Sequence, residues 1–371
     1  MAARDTGRGT GGPARKDLPA LTGLRFFLAL WVILHHLTGP GQDLEPLARQ
    51  LPDGLFSLIR GGYQAVTTFF VLSGFVLTRT YAATQWNRRN LVNYWIGRVA
   101  RVYPVYLLSL AAMIPFVLED HTPAKGGYFA AYLTLVQGWL GPLPVGWNTP
   151  AWSLSCEMFF YALFPLSALL VRRATWRNVI LAAAAACCLT RVMWAVGVSD
   201  NIKPLVHLAD FIMGIAAACA FELLARARRK PAGWTLYLPG LCGAALVIAY
   251  PGILPKFIDL NSMLRPLNAL LLIGLAIGGG AVARALSTRV LVYLGKSSYA
   301  MYILHVPVMW WYLRKSHTFS PALYVAIVIA LSALVYGLFE EPANRWLRAR
   351  LRRKPPAAMA GSPARCSAGS Q

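Results

Sequence analysis

Arg25 and His36 lie in one apolar stretch, LPALTGLRFFLALWVILHHLTG, residues 18–39. A neutral imidazole can take a proton from a hydroxyl near pH 7. A guanidinium can hold a phosphate through parallel N–H groups. Ionisable groups in hydrocarbon are costly, so inside a membrane span they point to function. Eleven residues at about 100° each make about three turns plus 20°, so Arg25 and His36 share one helix face, roughly 16 Å apart along the axis. His35 points about 100° away. One face could hold the charged end of a donor at Arg25 and its reactive end at His36. An extended pantetheine arm has a comparable length. A satisfied buried ion is the plainer alternative.

Other groups are fewer. Glu157, in AWSLSCEMFFYALFP, is expected at the outer mouth of a span, where a carboxylate can orient an imidazole or simply be solvated. Trp152, Phe159, Phe160 and Tyr161 read as an interfacial aromatic belt. His207 and Asp210 are three apart and predict a structural hydrogen bond. Arg191, Lys296 and His305 also fall in apolar segments, the two cations without an assignable partner. Arg98 and Arg101, again three apart, are adjacent on a helix and suit a phosphate clamp. The six cysteines show no C-x-x-C spacing and read as small hydrophobes, so no metal site is expected.

These residues need elements to position them. The chain of 371 residues is 57% hydrophobic and 13% charged, against about 25% charged in soluble domains. It predicts an all-α polytopic membrane protein with ten spans, at about 18–39, 61–82, 102–118, 151–171, 178–197, 204–225, 234–250, 265–283, 290–312 and 321–340. The first reads as an uncleaved signal anchor. Residues 127–150, broken by Gly126, Gly138, Gly141, Pro142, Pro144 and Pro150, predict a re-entrant or cavity-lining loop, with an extra span as the alternative. Residues 83–101 predict a separate helix lying at the cytoplasmic interface, aromatic on one side and basic on the other. Residues 1–17 and 349–371 read as disordered basic arms flanking a membrane domain at 18–348. With both termini in the cytoplasm, about 25 of the 36 Lys and Arg are cytoplasmic and about 8 external. The net charge of +22 is therefore mostly topological and faces lipid headgroups; no nucleic-acid partner is expected.

The order of motifs resembles the acyltransferase-3 family of bacterial integral-membrane O-acyltransferases. LTGLRFFLALWVILHH is similar to its leading Arg-x10-His segment, on Arg25 and His36. FFVLSGFVLT resembles its Ser-Gly-Phe segment, with Ser73, Gly74 and Phe75. RVARVYPVY resembles its basic junction, with Arg98, Arg101, Tyr103 and Pro104. AWSLSCE carries Trp152, Ser153 and Glu157, and GKSSYAMYILH carries Ser298, Tyr299, Tyr302 and His305. The closing EEPANRWLR is also familiar in position. The resemblance runs from about residue 18 to 348. Gly97 stands where the family often has an arginine. Some members carry a fused SGNH-type domain; this chain ends soon after its last span and reads as a stand-alone member.

The resemblance implies transfer of an acyl group, usually acetyl, from cytoplasmic acyl-CoA to a hydroxyl at the bacterial plasma membrane. It implies Arg25, Arg98 and Arg101 for the donor, His36 as general base, and Glu157 as its support or as an aid to the acceptor. Direct transfer and an acyl-histidine route both fit. Oxyanion donors are not evident; Ser73 or amides near Gly74 are the candidates. Family acceptors are polysaccharides, lipid-linked sugars and secondary metabolites such as macrolides. The competing class is a transporter, which inverted repeats or paired broken helices would favour; the sequence shows neither.

Overall fold

The computed structural model describes residues 18–39, 44–119, 125–141, 147–171, 175–198, 202–255, 259–315 and 320–352. The arm 1–17, the tail beyond 352, Cys366, Pro142 and Pro144 lie outside them. Among the described residues there is no β-strand. Each of the ten apolar segments contains one long helix. These are α1 (Pro19–Leu37), α2 (Gln64–Tyr81), α3 (Arg88–Glu119), α4 (Trp152–Val171), α5 (Trp176–Ala195), α6 (Leu208–Arg226), α7 (Trp234–Ala249), α8 (Leu260–Ile277), α9 (Arg289–Lys315) and α10 (Pro321–Val335). A single turn of π-helix, Tyr336–Glu340, then leads into α11 (Glu341–Leu351). The expected domain end at 348 falls inside α11.

Among the described residues, seven helices are long and apolar enough to cross a membrane, by length and composition. They correspond to α1, α2, α3, α5, α6, α8 and α10; α4 and α9 fall outside that count. At 16 residues α7 is apolar but short, about 24 Å against roughly 30 Å of hydrocarbon. Large apolar side chains stand exposed around the bundle, among them Leu118, Leu166, Ile180, Leu181, Leu334 and Leu338. Such an apolar surface suits lipid and would be a liability in water. Arg191 and Lys296 are exposed, so neither needs a buried partner. Cys188 and Cys242 are exposed too, unlike the buried Cys156 and Cys219; the described cysteines are all free.

Local sequence explains the helix starts. Pro19 opens α1, where a missing N–H is harmless. Asp259 caps α8 by accepting from the Ser262 amide at 2.8 Å. Ser320 does the same for α10, with Pro321 following. Two close crossings set the interior. Gly295 of α9 lies against α1, where a Cβ would collide with the Thr22 carbonyl oxygen. Gly74 of α2 lies against α6, where a Cβ would collide with the Phe211 carbonyl oxygen.

One expectation changes and another stands. The basic segment before the third span is not a separate surface helix. It is the first part of α3, a continuous 32-residue rod of about 48 Å. Its aromatic side turns inward: Tyr94 is fully buried and packs on Tyr81, Trp86 and Phe164, and its hydroxyl donates to the Tyr161 carbonyl at 2.9 Å. Protein contacts thus outcompete the lipid interface for these rings. The stretch 127–150 contains no long helix among its described residues, only Lys125–Leu133 and two 3-10 turns. Its buried Asn148 donates to Ser109 Oγ (3.0 Å) and Ile303 O (2.9 Å), pinning the loop between α3 and α9. Thr149 and Pro150 line a cavity, as a cavity-lining loop should.

Candidate active site

Two cavities open along α1, and Arg25 lines one and His36 the other. The first, about 470 Å³, is lined by Arg25, Ser73, Arg98, Arg101, Glu157 and Tyr299, together with apolar groups. Six residues singled out from sequence, contributed by α1, α2, α3, α4 and α9, therefore meet. Arg98 is enclosed by the rings of Tyr81, Tyr94 and Tyr161, with its guanidinium carbon 5.4–5.8 Å from their centroids. Arg101 lies over Tyr299 at 5.3 Å and forms an ion pair with Glu340. Arg79, also in the lining, pairs with Glu222 at 3.3 Å. Arg25 makes neither a hydrogen bond nor an ion pair among the described residues. It is the lining arginine that such partners leave open to a ligand's anionic groups.

The second cavity, about 330 Å³, is lined by His35, His36, Trp152, Lys203, His207 and Tyr302 among others. His36 Nδ1 lies 2.9 Å from the Val32 carbonyl oxygen. A carbonyl only accepts, so Nδ1 carries the proton and Nε2 of the neutral ring keeps its lone pair. The same logic applies to His305, whose Nδ1 donates to Tyr302 O at 2.6 Å. His305 is fully buried behind His36, ring centroids 4.9 Å apart, and its Nε2 has no partner among the described residues. Tyr324 fixes that turn of α9 through the His305 carbonyl at 2.8 Å.

Three placements differ from the sequence reading. Glu157 does not accompany His36; it lines the arginine cavity, where its carboxylate accepts from Tyr161 Oη at 3.0 Å. Five residues of helix separate it from Trp152 by about 7.5 Å and 140°, enough to send the two into different cavities. His35 does not leave the site, because its ring lies against His36 (5.3 Å) and Tyr63 (5.5 Å) and lines the same cavity. Its Nδ1 donates to the Arg60 carbonyl at 2.5 Å. Gly74 sits in mid-helix against α6, so its amide belongs to the helix ladder and is not free for an oxyanion. Ser153 is structural in setting: its hydroxyl bonds Pro150 O (2.9 Å) and receives Tyr302 Oη (2.9 Å), tying α4 to α9.

Sequence reasoning missed several groups. Glu340 is fully buried in the π turn, and nothing local announced Arg101 as its partner. Tyr161, read from sequence only as part of an aromatic belt, is buried and bonds Glu157, a pairing that its position four residues further on the same helix face could have revealed. Arg265, at the edge of the eighth segment, is fully buried and holds Asp210 through Nε at 2.7 Å. The expected His207–Asp210 bond is present, at 2.7 Å. Beside Gly97, where an arginine was expected, Arg348 of α11 donates to the Gly97 carbonyl at 3.2 Å. No metal-binding cluster occurs among the described residues.

The fold and these cavities define a helical, membrane-type protein with an arginine-lined chamber beside an imidazole-lined one. The acyltransferase-3 family model, an acyltransferase domain, matches residues 18–340, and the chain belongs to that family. It is 31% identical to the acyltransferase MdmB of Streptomyces mycarofaciens, over 94% of this chain and 96% of that protein. It is 23% identical to the O-acetyltransferase OatA of Staphylococcus aureus (strain NCTC 8325 / PS 47), over 91% of this chain but only 57% of that longer protein. No solved structure matches the chain significantly.

Proposed function

We propose that the protein transfers an acyl group, acetyl foremost, from acyl-CoA to a hydroxyl of a carbohydrate or macrolide-like acceptor. The observation that carries this reading is that Arg25 and His36, on one helix, line two adjoining cavities, the first rich in arginines and the second in imidazoles. Arginines suit the phosphates of CoA; an imidazole with a free Nε2 suits a hydroxyl. The pantetheine arm would span the roughly 16 Å between them along α1.

In this mechanism the donor's phosphates lie with Arg25, Arg98 and Arg101, and Glu157 balances that cation cluster. His36 Nε2 removes the acceptor's hydroxyl proton as the oxygen attacks the thioester carbonyl. The tetrahedral intermediate collapses, the C–S bond breaks, and the proton held by His36 passes to the departing CoA thiolate. His305 backs His36, and Ser153 with Tyr302 holds the loop that bears Pro150. Ser73 lines the donor chamber and Trp152 the acceptor chamber. Ten spans with both termini cytoplasmic, flanked by basic arms, would present Arg25 to cytoplasmic acyl-CoA and His36 to an acceptor outside the bacterial plasma membrane. MdmB and OatA bear names of acyl transfer, which supports the reaction class.

The test is acyl transfer by the purified full chain in lipid nanodiscs. Radiolabelled acetyl-CoA is offered with glycan fragments, lipid-linked sugars and macrolides. Label appearing on an acceptor and lost with His36→Ala supports the reading. Solute flux without acyl transfer would replace it with a transporter.

A further inference from the structure

His207 is the unexpected member of the second cavity. It stands between the short helix Lys203–Val206 and α6, and one ring edge lines the chamber that holds His36. Its Nδ1 lies 2.7 Å from Asp210 Oδ2. The other Asp210 oxygen accepts from Arg265 Nε at 2.7 Å. Arg265 in turn donates to Thr190 Oγ1 at 2.7 Å and to the Ala186 carbonyl at 3.2 Å. Three helices, α5, α6 and α8, thus converge to fix the orientation of one imidazole. Asp210 and Arg265 are fully buried, whereas His207 is not.

A carboxylate paired with arginine accepts, so Nδ1 donates and Nε2 of the neutral ring is an acceptor. The ring contacts Trp152 (5.2 Å) and Phe70 (5.1 Å). Its Nε2 makes no hydrogen bond among the described residues. Holding a buried ion pair is costly in desolvation, and here the pair fixes an imidazole that lines a cavity.

We propose that His207 is a second hydroxyl-binding imidazole of the His36 cavity, accepting a hydrogen bond from a neighbouring hydroxyl of a polyhydroxylated acceptor, with Asp210 and Arg265 as positioning residues. The inference rests on the reading that the acceptor occupies this cavity, and it adds a requirement: the acceptor carries at least two hydroxyls. The chamber's composition agrees. Trp152, Tyr63 and Tyr302 supply ring surfaces, and the side chains lining it include no carboxylate. An aromatic wall with a few convergent polar groups suits a sugar ring.

Two substitutions separate binding from mere support. Asparagine reproduces the Nδ1 donor toward Asp210 but leaves nothing at Nε2. Glutamine reaches the Nε2 position. The full chain in nanodiscs is assayed with acetyl-CoA and two kinds of probe, methyl hexopyranosides and cyclohexanol. His207→Asn should keep the melting temperature and raise KM for the glycosides about tenfold, the effect of one lost hydrogen bond, with kcat nearly unchanged. His207→Gln should restore most of that KM, and cyclohexanol should be indifferent to both. Equal loss on cyclohexanol, or glutamine no better than asparagine, would overturn the assignment. A second readout needs no turnover: carbethoxylation of His207 by diethyl pyrocarbonate, mapped by mass spectrometry, should slow when the methyl hexopyranosides are present. Unslowed modification sinks the role of His207. Protection without acyl transfer to any probe keeps it and sinks the acyl-transfer reading instead.

Discussion

His36 has the free nitrogen, the cavity and the fixed tautomer that a base needs, and His35 shares the cavity while bonded to Arg60. Replacing His36 by Ala should lower kcat by about 100-fold or more, the usual worth of a general base. His35→Ala should cost far less, because proton removal is assigned to its neighbour; equal losses in initial-rate assays would void that assignment. Arg25→Ala should raise KM for acetyl-CoA about tenfold with a smaller effect on kcat, since an open guanidinium contributes ground-state binding to an anion. An unchanged KM for the donor would move the donor site elsewhere. At this scale the sequence was informative where one helix carries the relation. The eleven-residue spacing of Arg25 and His36 and the three-residue spacing of His207 and Asp210 follow from helical period alone. Arg101 with Glu340, or Asp210 with Arg265, joins positions far apart in the chain, and local spacing has no access to such pairs. Glu157 was misplaced for the same reason: the sequence of one helix does not say which neighbours that face meets, and the carboxylate lies with Arg25, Arg98 and Arg101 rather than at the mouth beside His36.

The helices place these groups through a few close contacts. Gly295 lets α9 touch α1 just where Thr22, Arg25 and Tyr299 converge on the arginine chamber. Gly295→Ala forces the two backbones apart and should cost about 1–3 kcal/mol as an overpacked contact. A matching fall in melting temperature, with weaker donor binding, is the expected measurement; a wild-type melting temperature would show that α9 is not held there. Arg265→Leu leaves Asp210 as a buried charge with a single partner and should destabilise by about 3–5 kcal/mol. The ten helical segments were legible from hydropathy, because burial in protein and burial in lipid select the same residues. The joining of the basic segment to α3 was not, because an aromatic-basic pattern fits a helix on a lipid surface as well as one docked on Tyr81 and Phe164. The π turn at Tyr336–Glu340 was equally invisible, since one extra residue per turn leaves no compositional mark.

The whole bundle holds two chambers that meet at a wall. Phe69 lines the first, Tyr302 the second, and their rings are in edge contact at 6.2 Å. A cell membrane carries a voltage, and each elementary charge crossing it releases about 2.3 kcal/mol per 100 mV. A water-filled route past Arg25 and His36 would let protons run down that gradient. Under the proposed function, the two touching rings would insulate the donor side from the acceptor side, and an acyl arm that parts them would have to fill the gap it opens. The double substitution Phe69→Ala with Tyr302→Ala should make proteoliposomes leak protons, read by an internal pH dye, while wild-type vesicles stay tight. Under the proposed function, catalysis across this wall would also be a problem of insulation, with the substrate itself serving as the plug.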